Sequence, residues 1–240
     1  GAIHPETSGV PMPWTEVKIA EDGEVLVKSE FMFAGYYRDP ESTEAKFKDG
    51  FYHSGDFGYI NEEGHLIVID RMEDLKMLST GEKFSPQYTE VRLRFSPYIK
   101  DAIVVGGETR HYVTSLINID LENVGRFAEA NHLSYTTFTD LSQKPQVIEL
   151  IDEEIRKVNR TLPEHARIKY FVNLHKEFDA DEAELTRTRK LRRTFVEDRY
   201  RDLIEALYGD RDEIAVEAAV TYRDGRTGVI RTSIRVNKVE

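Results

Sequence analysis

The chain has 240 residues, 40% of them apolar and including 12 Phe and 12 Tyr, so one or two domains with a sizeable core are expected. A formal charge of −11 argues against bulk nucleic-acid binding, and no apolar run approaches the roughly 20 residues a membrane-spanning helix needs. Cysteine is absent, which excludes disulfides and thiolate ligands, and the seven histidines are scattered without zinc spacing, so no metal site is expected.

The opening GAIHPETSG has neither a basic start nor an apolar stretch, so no secretory leader is expected. A cytoplasmic protein is the expectation, with peripheral membrane contact left open. Residues 1–72 read as short strands joined by turns. Residues 16–20 and 24–28 alternate around Asp22-Gly23, which signals a hairpin. Residues 31–37 form a further apolar and aromatic run, and 40–47 fits a helix. Residues 57–60 and 65–69 flank Glu62-Glu63-Gly64, a second hairpin. So many short strands predict a small β-rich subdomain, a barrel or a roll.

Residues 73–208 change character. Ser85-Pro86 marks a helix start, with a capping hydroxyl before proline at the first helical position. Residues 102–105 and 112–119 read as strands, and 121–131 as a helix. Val147, Ile151, Ile155, Val158 and Leu162 recur at helical spacing, which predicts an amphipathic helix over 145–162. Ile168, Tyr170, Val172 and Leu174 alternate as in a half-buried strand. The order predicts a compact α+β domain. Residues 209–240 read as an extension holding one hairpin, with strands over 213–222 and 228–236 around Asp224-Gly225. The fold class is therefore α+β: a β-rich subdomain, an α+β domain and a C-terminal hairpin.

Three segments could carry chemistry. In Tyr52-His53-Ser54-Gly55-Asp56-Phe57-Gly58-Tyr59 a carboxylate sits in a tight turn between glycines, where it could face a ligand and accept two hydrogen bonds, as a ribose would offer. It could equally be an aspartate in an ordinary turn. The second segment, Asp70 to Lys76 followed by Ser79-Thr80-Gly81, alternates in charge and reads as a solvated connection, with Arg71 a surface residue on its own terms. In the third, five of the seven residues 187–193 are basic and follow an acidic stretch from Glu177 to Glu184. A solvated loop, a polybasic patch and a phosphate-handling loop all fit that pattern.

Taken in order, these segments resemble the adenylate-forming (AMP-binding) ligases. That family has a Thr/Ser-Gly-Asp before a Gly-Tyr, an Arg about fifteen residues on, then a hinge residue, a glycine loop and a Ser-Pro helix start. A Leu-Thr-x-Thr-x-Lys loop follows far downstream. Here these are Ser54-Gly55-Asp56, Arg71, Asp74, Gly81, Ser85-Pro86 and residues 185–193. The opening Gly9 to Trp14, Gly35-Tyr36-Tyr37 and Pro40-Glu41-Ser42-Thr43 match as well, so the resemblance covers roughly residues 8–208. The basic loop and the following Arg199-Tyr200-Arg201-Asp202 look most like long-chain fatty acyl-CoA synthetases.

The resemblance implies a two-step reaction on a fatty acid, ATP with Mg2+, and coenzyme A. The acid gives an acyl-adenylate and pyrophosphate, then the thiol takes the acyl group and AMP leaves. It implies that Asp56 and Arg71 contact the ribose and that Asp74 is the hinge of a mobile lid domain. Gly81 would lie beside the pantetheine arm, and Lys190 would be the catalytic lysine of adenylation. This sequence departs from the pattern at Ser54, where Thr is usual, at Glu73, where a basic residue is common, and at Arg187, where Pro is usual; Arg189 adds charge beside Lys190. The family's phosphate loop and its magnesium-holding segment are not in the sequence. The resemblance therefore implies the C-terminal part of a larger enzyme, inactive alone, whose partner is an N-terminal portion of the same chain. Two rivals stay open: a non-catalytic nucleotide- or carrier-protein-binding module, and an adenylate-former of another branch that loads a carrier-protein thiol.

Overall fold

The Asp22-Gly23 turn folds β1 (Thr15–Ile19) antiparallel onto β2 (Glu24–Ser29), with Thr15 opposite Ser29 and Ile19 opposite Val25. The computed structural model describes residues 7–179, 181–188, 191–209, 211–221 and 227–239. These fall into two compact units, Gly1–Leu75 and Lys76–Glu240.

In the first unit, helix α1 (Pro40–Lys46) begins where Asp39 caps the backbone N–H of Ser42. It leads through β3 (Phe47–Lys48) into the long β4 (Phe51–Ile60), and the turn at 61–64 returns the chain as β5 (Leu66–Arg71). The five strands form one open antiparallel sheet in the order β1-β2-β4-β3, with β5 also on β4, so no barrel closes. The aromatic run at 31–37 forms no regular strand. Tyr36 bridges back to Asp39 instead, and Phe33, Tyr36, Phe47 and Tyr52 stack edge-on. Among the described residues Val25 and Ile67 are the unit's buried apolar side chains, whereas Trp14, Phe31 and Tyr37 are 74%, 78% and 85% exposed.

A short 3-10 turn, Met72–Asp74, ends the first unit. The second opens with a small hairpin, β6 (Lys76–Met77) and β7 (Lys83–Phe84). Ser85 then caps α2 (Pro86–Leu93) by accepting the N–H of Tyr88 at 2.9 Å, as the Ser-Pro signal predicts. Next come β8 (Ile99–Val105), β9 (Val113–Ile119), α3 (Leu121–Ala130), α4 (Phe138–Ser142), α5 (Pro145–Asn159) and β10 (Ile168–Asn173). Strand β9 is buried along its whole length. It runs antiparallel to β8 and parallel to β10, and the three helices supply the crossover that parallel pairing requires.

Period-two alternation splits the core between the sheet's faces. Ala102, Val104, Val113 and Ile117 meet Val147, Ile151 and Ile155 of α5 on one side. Ile103, Leu116 and Val172 meet Val196 of α6 (Arg193–Arg199) and Leu203 and Leu207 of α7 (Arg201–Leu207) on the other. Strands β11 (Glu213–Thr221) and β12 (Thr227–Arg235) pair antiparallel as expected, and the Asp224-Gly225 turn lies outside the described residues. Residues 209–240, set apart in the sequence reading, cluster with the second unit: Ile234 is wholly buried in the second core face, and β13 (Asn237–Lys238) pairs antiparallel with β10.

Candidate functional site

Asp56 sits within β4 rather than in a turn. The pairing of β2 with β4 runs from Glu24 opposite Phe57 to Leu26 opposite His53, so β4 holds extra residues across from Val25. That bulge is possible because Gly55 takes a φ of +76°, and a side chain there would also crowd the Lys46 ammonium. Glu24 holds the bulge from the neighbouring strand. Its carboxylate accepts the Gly55 N–H at 2.8 Å and meets His53 Nδ1 at 2.7 Å. The Ser54 hydroxyl donates to the Val25 carbonyl at 2.7 Å and accepts the Asp56 N–H at 3.0 Å. The sequence reading missed Glu24 and His53, since a single alternating strand carries no sign that a facing carboxylate will clamp a bulge.

Asp56 is paired with Arg71 in the register of β4 and β5, and Arg71 Nη1 lies 3.1 Å from Asp56 Oδ1. The same nitrogen donates to the Ser54 carbonyl at 3.2 Å. A third of the Asp56 side chain and over half of the Arg71 side chain are open to solvent, at 33% and 59%. With Lys46 beside Gly55, the bulge gathers the Asp56 carboxylate and two cations at one place. Asp74 ends the 3-10 turn that closes this unit.

Gly81 lies in the turn of the β6–β7 hairpin, where its N–H donates to the Leu78 carbonyl at 2.9 Å. Its φ of +92° disfavours any L side chain, yet no atom stands within 4 Å of where a Cβ would point. Backbone conformation and not crowding demands glycine here. Buried Leu78 and Phe84 anchor the hairpin, and Ser79 Oγ lies 2.6 Å from His111 Nδ1.

The basic segment is divided by its contacts. Lys190 and Arg189 lie outside the described residues. Arg193 is committed to the protein interior: it forms an ion pair with Glu90 and donates to the Val104 carbonyl at 3.1 Å. Burial pushes the Glu90 carboxyl above its ordinary range, and Arg193 opposes that shift. Arg192 donates to the Ala183 carbonyl at 3.3 Å, whereas Arg187 is exposed. Leu185 bridges Leu191, so the loop between them leaves and re-enters the body at one place. Among the described residues no three His, Asp or Glu side chains form a group able to hold a metal.

The profile of the AMP-binding enzyme C-terminal domain matches residues 73–212. The chain belongs to this family. It is 32% identical over 203 residues to long-chain-fatty-acid–CoA ligase FadD15 of Mycobacterium tuberculosis, an alignment covering 84% of this chain and 34% of that one. It is 29% identical over 218 residues to long chain acyl-CoA synthetase 1 of Arabidopsis thaliana, covering 84% and 33%. The chain thus spans about a third of the length of these curated relatives. Among solved structures it is similar to the adenylation domain of a carboxylate reductase from Mycobacterium chelonae, with TM-score 0.51 and 25% identity over 84% of this chain and 32% of that one. Apo MatB from Rhodopseudomonas palustris shares the fold, with TM-score 0.55 and 19% identity over 85% and 37%. Among the described residues no helix is long and apolar enough to cross a membrane.

Proposed function

We propose that this chain is the C-terminal part of an acid–thiol ligase that activates a long-chain fatty acid with ATP and passes the acyl group to coenzyme A. The observation that carries this reading is the Asp56–Arg71 pair, a carboxylate and a guanidinium set side by side at a solvent-open bulge. A carboxylate there accepts hydrogen bonds from the two ribose hydroxyls of the nucleotide, and Arg71 adds a donor from the next strand. Further support comes from the first unit's thin core and exposed aromatic side chains, which suit a subdomain built to pack onto more of the same protein.

In the first step a carboxylate oxygen of the fatty acid attacks the α-phosphorus of ATP. The bond to the β,γ-diphosphate breaks and pyrophosphate leaves. In the second, the coenzyme A sulfur attacks the acyl carbonyl carbon, the thiol proton passes to solvent, and AMP leaves with the electron pair of the cleaved C–O bond. Lys190 offsets the negative charge that develops at the α-phosphorus in the first step. Asp74 is the hinge about which the second unit, from residue 76 onward with its C-terminal strands, turns between steps, and Gly81 then borders the pantetheine arm. Magnesium would accompany ATP; among the described residues no group of His, Asp or Glu side chains could hold it.

The test compares this chain with the longer one that includes the N-terminal two-thirds. The longer chain should catalyse fatty acid-dependent exchange of pyrophosphate into ATP and then form the coenzyme A thioester, and this chain alone should do neither. Acyl transfer to a carrier-protein thiol in place of coenzyme A would move the protein to another branch of the family. Binding of nucleotide with no exchange by the longer chain would make it a non-catalytic module.

A further inference from the structure

The acidic run before the basic loop contains one carboxylate that water does not reach. The Glu184 side chain is 0% exposed, and its charge is met from several elements at once. One oxygen accepts the Tyr200 hydroxyl at 2.8 Å and lies 3.3 Å from Arg199 Nε, both at the end of α6. The other accepts Lys176 Nζ at 3.0 Å, just after β10, and the Asp179 N–H at 2.9 Å. Glu182 closes the network by pairing with both Lys176 and Arg199. The Glu184 backbone is engaged as well: its N–H donates to the Asp179 carbonyl at 3.1 Å, and its carbonyl accepts the Arg192 N–H at 2.9 Å.

Burying a paired charge adds little to stability compared with a well-packed apolar residue. An apolar side chain would also hold the segment without fixing its orientation, because burial has no direction. Charge-assisted hydrogen bonds do have one. Here they fix the residue at which the basic loop leaves the body, and the Arg192 N–H ties its return to the same residue. Leu185 and Leu191, bridged just beyond, pack on the second core face.

We propose that Glu184 is a positioning residue: its buried carboxylate locks the point where the loop spanning 185–191 leaves the body, to which the Arg192 N–H ties the return, and so sets where that loop's cations stand toward the phosphate of the reacting nucleotide. The second half of this statement rests on the ligase reading above; the first does not.

Amide hydrogen exchange on this chain tests the first half. Glu184→Gln should speed exchange in peptides covering 185–192 by roughly 10- to 100-fold, the scale of one or two lost charge-assisted hydrogen bonds. Peptides from β9 and α5 should exchange as in the wild type. Tyr200→Phe removes one donor, keeps the ring in the core, and should give a smaller change in the same peptides. It serves as the readout if Glu184→Gln does not fold. An unchanged loop, or equal acceleration in β9 and α5, would overturn the proposal.

The second half is tested in the longer enzyme. Glu184→Gln should lower kcat for acyl-adenylate formation by roughly 10- to 100-fold. KM for ATP and the rate of thioester formation from supplied acyl-adenylate should hold. Equal loss in both half-reactions would reduce Glu184 to a structural role. If the wild-type longer chain forms no adenylate while the exchange result stands, the ligase reading fails and the loop lock survives.

Discussion

Asp56 and Arg71 stand opposite each other on β4 and β5, 15 residues apart in sequence and 3.1 Å apart in space. Exposed pairs of this kind contribute at most about 1 kcal/mol to stability. Asp56→Asn should therefore leave the unfolding midpoint of this chain within the shift that so small a change produces. In the longer enzyme it should raise KM for ATP roughly 10- to 100-fold, the loss of a charged acceptor. Urea unfolding and steady-state kinetics check the two halves, and a variant that unfolds would make Asp56 a structural residue.

Gly81 gives a test in which two substitutions separate two causes. With φ at +92°, Gly81→Ala should cost roughly 1–2 kcal/mol through backbone strain. With no neighbour near the Cβ direction, Gly81→Leu should cost about the same. Thermal melts of this chain measure that equality. If the hairpin borders pantetheine, the two diverge in the longer enzyme, where Leu should suppress thioester formation far more than Ala and let acyl-adenylate accumulate.

His175 is a pH-sensitive element of the second unit. Burial lowers its pKa from 6.5 to about 4; Lys176 and Arg199 push the same way, while Glu184 and Glu182 oppose them. Its Nδ1 has no hydrogen-bond partner among the described residues. The folded state thus holds the ring neutral where the unfolded chain would protonate it. This contribution is complete above about pH 6.5 and is lost as pH falls toward 4, and it amounts to at most about 3 kcal/mol. Urea midpoints measured between those limits should fall in the wild type. The slope should be shallower in His175→Leu.

Arg193 and Glu90 form a pair set mostly inside, at 29% and 12% exposure. Arg193→Ala leaves a buried carboxylate without its cation and should cost about 3 kcal/mol. Adding Glu90→Gln should restore much of that loss, because the stranded charge is gone. Chemical unfolding of the single and double variants checks it, and simple additivity would mean that the two residues do not act together.

Lys190 carries the catalytic proposal. In the longer enzyme Lys190→Ala should slow adenylation by roughly 10²–10³. It should spare thioester formation from supplied acyl-adenylate. Equal damage to both steps would shift attention to Arg187, which is exposed and has no ion pair among the described residues.

The sequence was readable where one local signal decides the outcome. Ser85-Pro86 starts a helix, and Val147, Ile151 and Ile155 face a core, because each depends on neighbours within a turn or two. It was opaque where distant residues decide. Residues 52–56 read as a turn, since the bulge exists only in register with Glu24 and Val25. Residues 31–37 have strand composition, but their aromatic rings find partners in Phe47 and Tyr52 rather than in a backbone ladder. The basic run masked α6, whose first residue, Arg193, is held by Glu90 from α2. Glu184 looked like one more solvated acid, and only Lys176, Arg199 and Tyr200 together make it an interior residue.

The short strand β13 has a practical meaning. The family profile stops at residue 212, yet Asn237 and Lys238 pair with Phe171 and Tyr170, and Ile234 is fully enclosed. A protein trimmed to the profile would uncover a row of unsatisfied amides and carbonyls along β10 beside an open apolar hollow. Such a rim recruits strands from other molecules. The trimmed form should self-associate and precipitate, and expression designs for this domain should keep the chain through residue 239.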